Sequence, residues 1–229
     1  MAAVIAGGAA PAAAQTPDPT DVVDQVMAAY GGRDALERIE AVRLEGTIVT
    51  HPGEAHGSFI RIGQGRDTLK VLLHYPNRVE IRIVDGEEGY NGSTPGSLTP
   101  AGGPMLAAMQ LQAARSWVPW VLDELRDRLE MERSSPDLMV LAGDLKPGLR
   151  LRFFVEGASH HVLRTESVMS MASMSMVFAT DYGDFREVEG ILVPFREESF
   201  ASGTHTASLV VNEAIPNPPL DQRRLPMGG

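Results

Sequence analysis

Residues 174–196 read MSMVFATDYGDFREVEGILVPFR. Met174, Met176, Phe178, Thr180 and Tyr182 alternate with Ser175, Val177, Ala179 and Asp181, the period of a strand with one continuous large side. A surface of that kind needs a covering layer. The strand runs on through 184–188, Glu189 and Gly190 supply a turn that tolerates positive φ, and 191–196 begins the return strand. Pro194 lacks an N–H, which assigns the return strand to an edge or a bulge. Two strands about a glycine turn, with no catalytic pattern in them, point to a binding fold.

The same grammar recurs outward from this hairpin. Strand patterns occupy 138–142, 149–156, 161–168 and 204–215 around it, and 42–51, 58–62, 68–75, 78–84 and 89–92 earlier in the chain. Val79, Ile81 and Ile83 alternate with Arg78, Glu80 and Arg82, and Asp85-Gly86 is a hairpin signal leading to Gly89-Tyr90-Asn91-Gly92. The two groups of strands are separated by a loop rich in Ser, Thr, Pro and Gly at 93–103 and by a change of period after it. Leu106, Met109, Ala113 and Trp117, then Val118, Val121, Leu122, Leu125 and Leu129, trace a helical stripe that Pro119 interrupts, giving two consecutive helices. Near the N-terminus, Asp18-Pro19-Thr20-Asp21 is a helix start and Gly31-Gly32 a helix stop, with Val22, Val23, Val26, Met27 and Tyr30 at helical spacing between them.

This order predicts an α+β fold: a curved, antiparallel, unclosed β-barrel of about eleven strands, with an N-terminal helix and a helical lid inserted at 104–132. A single domain covers 18–216. Pro216, Pro218 and Pro219 end the last strand, and 217–229 is read as a loosely held tail. The alanine-rich segment 1–14 matches the small-residue pattern before a secretory cleavage site, although no Lys or Arg precedes Arg33. The expectation is a soluble protein exported to the periplasm or beyond. No apolar run approaches the roughly 20 residues needed to span a bilayer.

Composition removes several function classes. A net charge of −10 without a basic cluster argues against nucleic acid as a partner. The chain has no cysteine, which excludes disulfides, thiolate zinc sites and a thiol nucleophile. His51, His56, His74, His160, His161 and His205 show no zinc spacing, and neither a Gly-x-Ser-x-Gly elbow nor a phosphate loop nor a dinucleotide fingerprint occurs. The expectation is therefore a protein that is not an enzyme and takes no cofactor. Met169, Met171, Met174 and Met176, interleaved with serines, admit two readings: a flexible apolar wall, or a soft-ligand site for Cu(I).

Two stretches carry a family resemblance. Tyr75-Pro76-Asn77-Arg78-Val79 with Asp85-Gly86 and Gly89-Tyr90-Asn91 is similar to the proline-started strand and hairpin found before the lid of periplasmic lipoprotein carriers, the LolA/LppX-like superfamily. Residues 181–194 resemble the strand-turn-strand near the end of many of its uncharacterised members. In those carriers an arginine commonly precedes the strand's proline, and here Tyr75 takes that place. The resemblance implies an apolar cavity beneath the lid, a lipid or lipoprotein acyl chain as ligand, and no cofactor. On that reading Leu73, Tyr75, Val79, Ile81, Met174, Met176, Phe178 and Tyr182 surround the ligand together with Met109, Trp117 and Trp120 of the lid. Lid motion would centre on Pro119 and the 93–103 loop. A second reading uses the same fold to sense lipid or to engage an envelope membrane protein.

Overall fold

In the computed structural model, which describes residues 16–65, 67–171 and 174–225, the strands begin near the middle of the sheet, and the chain leaves the sheet once between them. Strands β1 (Ala41–Thr50), β2 (Ala55–Gln64), β3 (Thr68–Tyr75), β4 (Arg78–Asp85), β5 (Glu88–Gly92) and β6 (Thr99–Pro100) run outward to one edge. Helices α3 (Gly103–Ser116) and α4 (Val118–Leu125) then carry the chain across to β7 (Glu130–Ser134) at the opposite edge. Strands β8 (Leu138–Lys146), β9 (Leu149–Glu156), β10 (Val162–Met171), β11 (Met174–Val188), β12 (Ile191–Ala201) and β13 (Thr204–Pro216) return to the middle, where β13 pairs with β1. Each neighbouring pair is antiparallel, and β6 and β7 do not meet, so the curved sheet stays unclosed.

The described residues form thirteen strands, not eleven. Both additional strands are edges. β6 lies within the expected 93–103 loop, and β7 replaces the end of the expected helical lid, whose last turn is Arg126–Arg128. Of the expected tail, residues 217–225 are described, and they are held against the sheet. Leu225 is buried with Ile62 and Ile81 on the convex face, while Arg43 and Lys70 donate to the carbonyls of Gln222 and Arg223. Segment 1–14 lies outside the described residues.

Local chemistry explains the elements around this frame. α1 (Pro19–Ala29) starts where the Asp18 carboxylate accepts from Thr20 N at 2.9 Å, its Val22, Val23, Val26 and Met27 are buried, and the short α2 (Arg33–Glu37) follows it. Pro119 falls in the first turn of α4, where its missing N–H is harmless, so the helical layer breaks at Trp117. Glu189 and Gly190 both have positive φ and close the β11–β12 hairpin. β12 itself is internal, contrary to the edge reading. Its ladder to β13 begins only at Arg196, however, so Pro194 sits where β12 and β13 have splayed apart.

α3 packs on β4, β5 and β10, spanning the concave face, and α4 packs on β8 and α1. The inward phase of β9 shows the result: Leu149, Leu151, Phe153 and Val155 are all buried. His161 lies tilted against Phe185, ring centroids 4.6 Å apart, and edge-on to Tyr30. Partial burial and neighbouring His160 lower its pKa against the pull of Glu156. A base whose pKa falls on folding loses stability as pH drops below its unfolded value of about 6.5. We expect His161→Phe to shrink the fall in urea midpoint between pH 7 and pH 5. An unchanged difference would assign the acid sensitivity to other groups.

Candidate functional site

The concave face is only partly filled by the helices. Between α3 and the sheet lies a hollow of about 460 Å³, within the roughly 300–1,000 Å³ typical of small-molecule sites. Its wall is apolar where β1–β3 and β13 contribute Ile48, Phe59, Val71, Leu73, Tyr75 and Leu209, and its roof is Met105, Ala108, Met109 and Gln112 of α3. Met105 is 52% exposed at the start of α3. A second space of about 50 Å³ lies beyond Arg115, against Trp117, Trp120, Tyr182, Ile191 and Val193.

A charged node divides the two spaces. The inward phase of β2 reads Phe59, Arg61, Gly63, and Arg61 makes a paired contact with Glu197 of β12, one limb of it at 2.8 Å. Their side chains are 9% and 5% exposed. Burial disfavours the Arg61 charge, but Glu197 more than offsets this and holds its pKa above the usual value. Arg115 of α3 reaches the same node from above. It donates to the hydroxyls of Ser167 and Thr180 and lies over the Phe178 ring at 5.5 Å, without a carboxylate in ion-pair contact among the described residues. Burial pushes its pKa down to about 10, against the pull of Tyr182 and Glu197, so it stays a cation at neutral pH. Tyr182 donates to the Arg115 carbonyl at 2.6 Å and sits 2.9 Å from the Thr165 hydroxyl. Burial first, then Glu197, raises its pKa and keeps the phenol protonated. The node thus ties α3 to β10 and β11, and β2 to β12.

The expected ligand-contacting residues are dispersed. Leu73, Tyr75, Met109 and Phe178 line the larger hollow. Trp117, Trp120 and Tyr182 line the smaller one, with the two indoles edge-to-face at 4.8 Å and Trp120 donating to the Leu36 carbonyl at 3.1 Å. Val79 and Ile81 belong to the opposite face of the sheet, with Ile62 and Leu225. Met176 pairs with the buried Met169 across β10–β11 and packs on the core, while the Met171 and Met174 side chains lie outside the described residues. Among the described residues no cluster of three or more His, Asp or Glu side chains could hold a metal. Arg61, Arg115 and Glu197 were missed. The available signal was that both phases of β2, Phe59 and Ile60 alike, are apolar around Arg61, which marks a strand covered on both faces.

The backbone has solved counterparts. A LolA superfamily protein from Nitrosomonas europaea matches with a TM-score of 0.59 at 12% identity, over 91% of this chain and 97% of that one. The protein has the LolA fold. A Vibrio parahaemolyticus domain named for outer membrane lipoprotein sorting shares it with a TM-score of 0.54 at 8% identity, over 90% and 98% of the two chains. So does a DUF1329 family protein from Desulfovibrio piger, with a TM-score of 0.58 at 11% identity over 88% and 94%. No family model and no curated protein matches the sequence. In this instance of the LolA fold, the helical layer is the segment joining the two edge strands, so the roof of the hollow is tethered to both rims of the sheet.

Proposed function

We propose that the protein binds and carries a lipid or the acyl chain of a lipoprotein, held between the sheet and α3, without catalysing a reaction. The observation that carries this reading is the apolar hollow of about 460 Å³. Each methylene moved from water into it contributes about 0.8 kcal/mol, so a chain of roughly twelve carbons offsets several kcal/mol of ligand ordering and helix displacement. The Vibrio parahaemolyticus relative, named for lipoprotein sorting, supports the same ligand class. Among the described residues no helix is long and apolar enough to cross a membrane. We place the protein in the periplasm or another exported compartment on the pattern of residues 1–14.

The test is to extract the purified, exported protein with organic solvent and weigh the extract by mass spectrometry. Ala108→Trp on the roof and Ala201→Trp on the wall each place an indole in the hollow. Both variants should remain folded and lose at least tenfold in co-purified lipid, which on the affinity scale is about 1.4 kcal/mol. A wild-type extract free of lipid, together with no uptake of added fatty acid or alcohol, would rule out carriage.

A further inference from the structure

The hollow is lined by three arginines, Arg61, Arg82 and Arg115, and two glutamates, Glu80 and Glu197. It therefore carries a positive excess inside a protein whose net charge is −10. The glutamates are already engaged: Glu80 with Arg78 and Arg82, and Glu197 with Arg61. Arg115 is left with hydroxyls as partners. Its Nε and Nη1 donate to Thr180 and Ser167, while Nη2 makes no hydrogen bond among the described residues. The Nη2 atom is not sealed either, since Trp117 Nε1 is the one closed-off side-chain polar atom without a partner among those residues. Arg115 borders both spaces, so the unused edge of its guanidinium faces a volume that a ligand can occupy. Neutral hydroxyls orient a cation but do not neutralise it, and a partly desolvated cation beside a largely apolar hollow favours an anion there.

We propose that the preferred ligand is a single-chain amphiphile with an anionic head, whose oxygen accepts from Arg115 Nη2 while the chain lies along Phe59, Val71, Leu73 and Met109. This rests on the carrier reading and narrows it from lipids in general to those ending in a carboxylate or a similar anion. Arg61 stays with Glu197, and Arg115 supplies the charge that the ligand completes. Chain and head are recognised separately, so a fatty acid and its alcohol share the apolar term and differ only at Arg115.

Dodecanoate, 1-dodecanol and acetate are titrated separately into the full-length protein at pH 7.5, following the fluorescence of Trp117 and Trp120, the only two tryptophans. Dodecanoate should bind at least tenfold more tightly than dodecanol, and acetate should not compete at comparable concentration. Arg115→Met should lose the preference for dodecanoate over dodecanol, while Arg115→Lys should retain much of it. The wild-type comparison stands even if a variant fails to fold. Equal binding of acid and alcohol overturns the anionic-head proposal and leaves the carrier reading intact. Acetate binding as well as dodecanoate would make this a small-anion site and overturn the proposal. Binding of neither long-chain compound overturns this proposal and, together with a lipid-free extract, removes the carrier reading as well.

Discussion

Glu197→Leu is expected to destabilise the protein by about 3–5 kcal/mol, the usual consequence of stripping one partner from a buried ion pair. Glu197 and Arg61 are both almost wholly shielded from water and meet through the two terminal guanidinium nitrogens. Removing the carboxylate leaves Arg61 and Arg115 as two cations in one desolvated node. Solvation cannot rescue them without water flooding the space beneath α3. The double variant Arg61→Met, Glu197→Leu should recover most of the loss, because a buried pair and an apolar pair of similar volume differ little in net stability. Recovery should stop short of wild type, since Glu197 also attracts Arg115. Urea denaturation of the two single variants and the double variant measures the coupling directly. A Glu197→Leu variant within 1 kcal/mol of wild type would show that water already reaches the pair, and would weaken the view of the node as a desolvated site.

Most of the sheet was legible because its strands are specified locally. Hairpins at Asp85–Glu88 and Val188–Ile191 close on glycine turns, and alternation in β3 and β9 matches their burial. Edge strands β6 and β7 escaped because a strand paired on one side and exposed on the other needs no apolar alternation: Glu130, Glu132, Arg133 and Ser134 are all exposed. β4 teaches a different lesson. Its periodicity correctly separates Val79, Ile81 and Ile83 from Arg78, Glu80 and Arg82, yet the charged set faces the helices. Two local circumstances allow this. Arg78 and Arg82 clasp Glu80, with Arg78 also over the Tyr75 ring at 4.0 Å, and Leu225 of the tail covers the apolar set from outside. Alternation therefore divides a strand into faces without saying which one is the interior. The same limit hid Arg61, whose inward phase looks outward in a strand apolar on both sides.

Gly63→Ala should be a strongly damaging single-methyl addition to β2. A Cβ built at this position would lie 1.7 Å from Cζ2 of Trp117, so the indole has to leave its seat. Trp117 joins α3 to α4 and packs edge-to-face with Trp120, so displacing it lifts the whole helical layer from β2. Overpacking of this kind typically removes about 1–3 kcal/mol, and the lack of any smaller adjustment here argues for the upper end. Trp117→Ala, which leaves a large void, should remove about 3–5 kcal/mol. Trp117→Phe should lose well under half as much, because it keeps an aromatic ring and deletes an indole N–H that is buried without an acceptor. Combining Gly63→Ala with Trp117→Leu should cost less than the sum of the two single changes by more than about 1 kcal/mol, since the methyl then occupies space that the indole vacated. Strict additivity would mean that the two residues do not share one packing site. Fatty-acid affinity in folded Gly63→Ala tests the functional link: if α3 is the roof of the ligand site, affinity falls with the displaced indole.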